Sequence, residues 1–110
     1  MTLPSPIALV SFLPQFAQEL KAALRAQQRN DVAEQIDSLS VVDRCRCGDG
    51  RCATFYTAPR PAGAYGPGHD SIIVDDVGGF VVLDLVDGRI RCVEVLSRPD
   101  VRDALHSLLP

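Results

Sequence analysis

Between Leu13 and Leu24 apolar residues come every three or four positions. Leu13, Phe16, Ala17, Leu20, Ala23 and Leu24 fall on one side, with Glu19, Lys21, Arg25 and Gln28 on the other. A helical period gathers such a set into one stripe, so the spacing predicts an amphipathic helix. Ser11 is placed to cap it, and Pro14 is tolerated in a first turn, where no intrahelical bond is lost. The helix is expected to end near Arg29-Asn30. Asp31, followed three residues later by Glu34, predicts a capping box for a short second helix with Val32, Ile36 and Leu39 on one face. The helical region is thus expected over about residues 12–38.

From Ser40 the period shortens to that of strands. The runs "SVVDRCRC" and "RCATFYT" flank Asp49-Gly50, a dipeptide suited to a two-residue hairpin turn. Counting outward pairs Cys47 with Cys52, Cys45 with Thr54 and Asp43 with Tyr56. The three cysteines then share one face, and Arg44, Arg46 and Phe55 the other. A second hairpin is expected at Asp87-Gly88, between "GFVVLDLV" and "RIRCVEVL". An uninterrupted register pairs Leu85 with Ile90, Leu83 with Cys92 and Val81 with Glu94, and it sets Asp84 against Arg91 as a cross-strand ion pair. Leu83, Leu85, Ile90 and Cys92 form the expected core face; Phe80, Val82, Val86, Val93 and Val95 leave the other face half-apolar.

Residues 71–75, "SIIVD", add a short strand, and Gly78-Gly79 turn it into the next. Ser97-Arg98-Pro99-Asp100 reads as a further capping box, opening a last helix over about residues 98–109 that is striped by Val101, Ala104, Leu105, Leu108 and Leu109. The sum is one α+β domain of residues 1–110: N-terminal helices, an antiparallel sheet of four to five strands over about 40–96, and a C-terminal helix.

Composition narrows the function. The chain is 46% apolar and 23% charged, ordinary for a globular domain. A net charge of −3 argues against nucleic acid as a partner. Asp75, Asp76, Asp84 and Asp87 gather in the last third, an acidic face suited to a basic protein partner. The opening "MTLPSPIALVSFLPQF" has no basic residue and is broken by Pro4, Pro6 and Pro14, a poor match to a secretory leader. No run reaches membrane-spanning length, so no membrane partner is expected. The expected compartment is the cytoplasm, where thiols stay reduced.

Three of the four cysteines fall within "CRCGDGRC". Cys45, Cys47 and Cys52 on one face would bring three sulfurs together, and Cys92 or His69 could complete a tetrahedral zinc site. Plain buried thiols are the favoured reading, with zinc and a redox pair or disulfide open beside them. The loop "APRPAGAYGPGHD" is long for a connection in a small domain and displays Tyr65, His69 and Asp70 as contact residues. His106 is expected to be solvated on the polar face of the last helix. No phosphate loop, dinucleotide turn or nucleophile elbow is present, so no catalytic residue is assigned and no enzyme is expected.

The second hairpin, with its Asp-Gly turn and its Val93-Glu94-Val95 step, resembles one common in small bacterial proteins. "CRCGDGRCATFYTAP" is similar to segments of small actinobacterial and proteobacterial proteins. In general character, small, acidic and without an active site, the chain also resembles the immunity proteins of contact-dependent growth inhibition systems. That resemblance implies a cytoplasmic binding protein, with no cofactor, that neutralises a basic toxin domain. Tyr65, His69, Asp70, Asp75, Asp76, Asp84 and Asp87 are the expected partner-binding residues. The alternative is a zinc-stabilised or thiol-active protein centred on Cys45, Cys47 and Cys52. A homodimer through the half-apolar sheet face is a third expectation.

Overall fold

The computed structural model describes residues 6–110, so the reading of residues 1–5 as part of no leader lies outside the described residues. The chain opens with β1 (Ile7–Ala8) and α1 (Leu9–Phe12), a single turn. Ser11 lies inside that turn and caps nothing. Leu13 interrupts the helix at φ −131° and ψ 67°, and α2 (Pro14–Ala26) begins at the next residue with proline in its first position. The cause is steric: a residue before proline is pushed out of the helical region, and proline has no N–H to continue the ladder.

α3 (Asn30–Ala33) runs on into a 3-10 turn (Glu34–Ser38). The residue before it is Arg29, and no side chain caps it, so the Asp31–Glu34 capping box is not formed. Likewise Arg98, not Ser97, precedes α4 (Pro99–Leu108). Asp100 pairs with the Arg98 guanidinium at 2.9 Å in place of capping. Pro99 occupies the first helical position and makes a capped N-H unnecessary there.

The main sheet consists of β3 (Asp43–Arg44), β4 (Phe55–Tyr56), β5 (His69–Val74), β6 (Phe80–Val86) and β7 (Arg89–Leu96). All five pair antiparallel in the order β3-β4-β7-β6-β5, while β1 forms a separate pair with β2 (Ser40–Val41). The α+β architecture is therefore as expected. One face of the sheet is apolar in register from β4 to the β5 edge. Phe55 sits opposite Val93, Val93 opposite Leu83 and Leu83 opposite Ile72. Val95, Val81 and Val74 form the next row. Every helix packs on this face: Leu9, Phe16, Leu20, Leu24, Val32, Ile36, Val101, Leu105 and Leu109 join those strand residues in one buried cluster.

The second hairpin departs from the expected register at one point. Leu85 pairs with Ile90, but Asp84 pairs with Cys92, Leu83 with Val93 and Val82 with Glu94. Arg91 is the extra residue of a β-bulge. Beyond it, every side chain of β7 lies on the face opposite to the uninterrupted count. Core burial drives the shift, because without it Glu94 would face the core and Val93 and Val95 would leave it. The predicted Asp84–Arg91 ion pair is accordingly absent, and Cys92 lies on the outer face. The tip itself forms as expected, with Asp87 and Gly88 both at positive φ, 52° and 81°.

Two glutamines and one arginine tie the helices to the sheet. Gln35 accepts from the Ile90 N–H at 2.9 Å and donates to the Gly88 carbonyl at 2.7 Å. Gln27 does the same at the far end, accepting from the Asp75 N–H and donating to the Ile73 carbonyl. Each amide stands in for a missing strand neighbour. Arg98 bonds Glu19 on α2, Asp100 on α4 and the Val77 carbonyl, with its guanidinium over the Phe16 ring.

Gln35→Ala is expected to cost about 1–2 kcal/mol in chemical denaturation, since it strands a part-buried N–H. Gln35→Glu should also destabilise, because it keeps the acceptor but sets a carboxylate against the Gly88 carbonyl. Unchanged midpoints in both variants would show that the clamp contributes nothing.

Candidate metal and thiol site

With the helices all on the core face, the outer face of the sheet is free to carry polar chemistry. One row crosses all five strands there. Asp43 sits opposite Tyr56, Tyr56 opposite Cys92, Cys92 opposite Asp84 and Asp84 opposite Ser71. The next row brings Glu94, Val82 and Ile73 side by side. Cys52 meets Leu96, which is itself opposite Phe80. Tyr65, in the loop of residues 57–68, lies against this face, its ring 5.0 Å from that of His69. The loop closes tightly at Gly68, at φ +83°, where an added Cβ would fall 2.3 Å from the Asp87 carboxylate.

The first hairpin is looser than its sequence predicts. The register of Asp43 with Tyr56 is as counted, and the Cys45 N–H donates to the Thr54 carbonyl. The ladder stops there. The chain reverses through Asp49–Cys52, where the Cys52 N–H meets the Asp49 carbonyl at 3.1 Å and the Asp49 carboxylate accepts from the Arg51 N–H. Gly50 and Arg51 are thus the central turn residues, in place of Asp49 and Gly50. The three sulfurs of Cys45, Cys47 and Cys52 nonetheless converge, with all ligand atoms within 4.8 Å of one another.

The three thiols differ. Cys47 is exposed, and its pKa is held below the ordinary thiol value by the Asp49 N–H first, then by the thiols of Cys52 and Cys45. Burial pushes Cys45 up to about 11. Burial raises Cys92 strongly, with the charges of Asp84 and Glu94 adding to it. Cys47 is therefore the more readily ionised thiol and Cys92 the most inert one. Simple core filling fits Cys92 and Cys52, which are buried, but not the exposed Cys47.

Beside the sulfurs is a pair of carboxylates. Asp84 is only 6% exposed, and it accepts from Ser71 Oγ at 3.2 Å and pairs with His69 Nε2 at 2.9 Å. Burial works to raise its pKa, but hydrogen bonds from Glu94, His69 and Ser71 hold it below the usual value. Glu94 is pushed up to about 7 by its hydrogen bond to Asp84, with burial and the Asp84 charge adding. The two share a proton, as neighbouring carboxylates must when both cannot ionise. All four cysteines and both of these acids line one open cleft of about 490 Å³, walled by Tyr65 and Arg60 from the loop.

The expected fourth zinc ligands are engaged elsewhere: His69 on Asp84, and Cys92 with the Tyr65 hydroxyl. Of the seven expected partner-binding residues, Tyr65, His69 and Asp84 are brought together, whereas the others are spread along the sheet. Asp75 and Asp76 lie in the turn before β6, and Asp87 in the turn after it, at opposite ends of that strand. Asp84 lies between them, buried under the loop, because the register turns it to the outer face where Tyr65 and His69 cover it. Asp70 is exposed and accepts from the Ser71 N–H. His106, on α4, is partly buried at the edge of the cysteine site. Sequence reasoning missed Glu94 as a site residue. The signal was present in "IRCVEV", where apolar spacing breaks phase between Ile90 and Val93.

In metal-free protein, iodoacetamide is expected to label Cys47 first and Cys92 last, as read by mass spectrometry of a time course. Prior labelling of Cys92 would contradict the reactivity order. Glu94 generates a pH prediction. Between its ordinary value of 4.5 and about 7 the folded protein keeps a proton that the unfolded chain has lost, so its contribution to stability falls as pH rises through that window. The lowered Asp84 acts with the opposite sign, its stabilising contribution being lost as pH falls. Glu94→Gln keeps a donor toward Asp84, so it should flatten the melting temperature between about pH 5 and 7 and melt above the parent at about pH 8. A variant with the parent's slope would rule out the shared proton. No known family, curated protein or solved structure matches this chain, so its chemistry stands on its own residues.

Proposed function

We propose that the protein binds a thiophilic metal ion, zinc above all, on Cys45, Cys47 and Cys52. The observation that carries the reading is the convergence of those three sulfurs within 4.8 Å at the outer edge of the sheet. Three thiolates are a donor set that soft and borderline ions prefer over water. Metal sites with three protein ligands keep one position open, and that position suits exchange or chemistry more than a closed structural role. The neighbouring protein supports the charge of one thiolate, since the Asp49 N–H favours the ionised Cys47.

Protein purified without chelator or tag is expected to hold close to one zinc per chain by elemental analysis. Cys47→Ser and Cys52→Ser should each lower the affinity for added zinc at least tenfold, whereas Cys92→Ser should leave it unchanged. Full-length protein that folds normally, takes up no added zinc and forms no metal complex in any of these forms would sink the reading.

A second reading, a binding protein that neutralises a basic toxin domain, is favoured by one observation. Among the described residues Ile73 and Phe80 are the most exposed large apolar side chains, 58% and 50%, and they flank the turn that carries Asp75 and Asp76. An apolar patch rimmed by acids suits a basic protein surface. Reversing both charges, Asp75→Lys with Asp76→Lys, should slow association with such a partner and remove its salt dependence. An unchanged association rate would discard this surface as the interface. Self-association through the same patch would appear instead as a dimer mass that Phe80→Ser reduces to monomer.

A further inference from the structure

The three cysteines also wall a second, smaller cleft of about 270 Å³, and there the surroundings are cationic. Arg44, Arg46, Arg102 and His106 line it, together with Asp49. Arg46 is paired with Asp43 at 2.6 Å, and Arg51 stands 3.6 Å from Asp49. Arg44 spends its donors on two carbonyls, those of Leu109 and Cys45. Among the described residues neither Arg44 nor Arg102 makes an ion pair. The Nε of Arg102 is buried with no hydrogen-bond partner, an arrangement that folded proteins rarely leave unanswered.

Two incomplete counts meet at this point. The coordination count is one short, because three sulfurs leave the fourth tetrahedral position empty and both candidate protein ligands, Cys92 and His69, are held elsewhere. The charge count is also one short. A divalent ion on three thiolates carries one net negative charge, while Arg44 and Arg102 bring two positive charges outside any ion pair; Asp49, which lines the same cleft and feels Arg102, is paired with Arg51. A soft donor and an anionic group, within reach of each other, would complete both.

Resting on the metal reading, we infer that the cleft binds a small acidic thiol, its sulfur on the ion and its anionic group on Arg102 and Arg44. Binding is a ligand exchange without redox change. The incoming thiol loses its proton to solvent, its thiolate displaces water from the ion, and the anion pairs with the guanidinium groups of Arg102 and Arg44. Planar guanidinium donors suit carboxylate or sulfonate oxygens, which gives the cleft its selectivity for an acidic over a neutral thiol.

The probes are 2-mercaptoethanesulfonate and 2-mercaptoethanol, which share a thiol arm and differ in the anion. Each is titrated into the cobalt(II)-loaded protein, and the visible absorption of the ion reports thiolate ligation. The sulfonate is expected to saturate at a concentration at least tenfold lower than the neutral thiol. Arg102→Gln should erase that preference with cobalt content unchanged, and Arg102→Lys, which restores the charge, should recover part of it. Equal affinity for the two thiols in the parent would mean that the chain itself already neutralises the cleft, and it would overturn the inference while leaving the metal reading intact. A preference that survives Arg102→Gln would overturn it as well. Protein that takes up no cobalt sinks the metal reading and this inference together.

Discussion

A single extra residue in one strand governs what this protein exposes and what it hides. Arg91 is accommodated as a bulge, and from there to Leu96 the side chains of β7 lie on the faces that the apolar core dictates. Val93 and Val95 enter the core beside Leu83 and Val81, while Cys92 and Glu94 are turned to the other face. The alternative register would bury Glu94 under the helices without a partner, and an unpaired buried carboxylate is among the costlier defects a fold can carry. The same shift brings Cys92 beside Asp84 and Glu94 beside Val82, so the outer row of polar residues is a by-product of satisfying the core. Bulges recur beside functional sites because they re-aim side chains in this way.

That constraint also divides the labour between the two faces. All the helices lie on one side, and one buried cluster unites them with the sheet. Among the described residues the opposite side is covered by the loop of residues 57–68, through Tyr65. A face with a partial roof gives graded exposure, and the titratable groups follow the gradient. Cys92 is buried beneath the roof with its thiol suppressed, Glu94 beside it shares its proton with Asp84, and Cys47 stands outside with its thiolate favoured. Reactivity is thus ordered by depth rather than by residue type.

Most of the architecture was legible in the sequence, and the failures have common causes. The amphipathic stripe of α2, the Asp87-Gly88 tip and the strand order of the second hairpin all follow from local periodicity and turn chemistry. The convergence of Cys45, Cys47 and Cys52 followed from alternation alone, even though the ladder that justified it stops at Cys45. Helix starts were misplaced because proline overrode side-chain capping at both Pro14 and Pro99. The bulge was missed because a hairpin count assumes strict pairing, whereas tertiary burial decides phase wherever the two disagree. Glu94 and Arg102 could not be found by motif. One depends on the bulge, and the other reaches the cysteines from a helix some fifty residues further along the chain.

The placement of the cysteines argues about purpose as well as position. A thiol used as core filler belongs where Cys92 is, under cover and beside apolar neighbours. Cys47 gains nothing from burial, and together with Cys45 it sits on a turn held by an Asp49 carboxylate and a few backbone bonds. Such a segment has little apolar contact of its own to fix it, and ordering it costs conformational entropy that the sheet edge repays poorly. An ion held by three sulfurs would supply the missing constraint, tying residues 45–52 to the strand ladder through Cys52 and its bridge to Leu96. On that view the binding of the ion and the ordering of the turn would be one equilibrium.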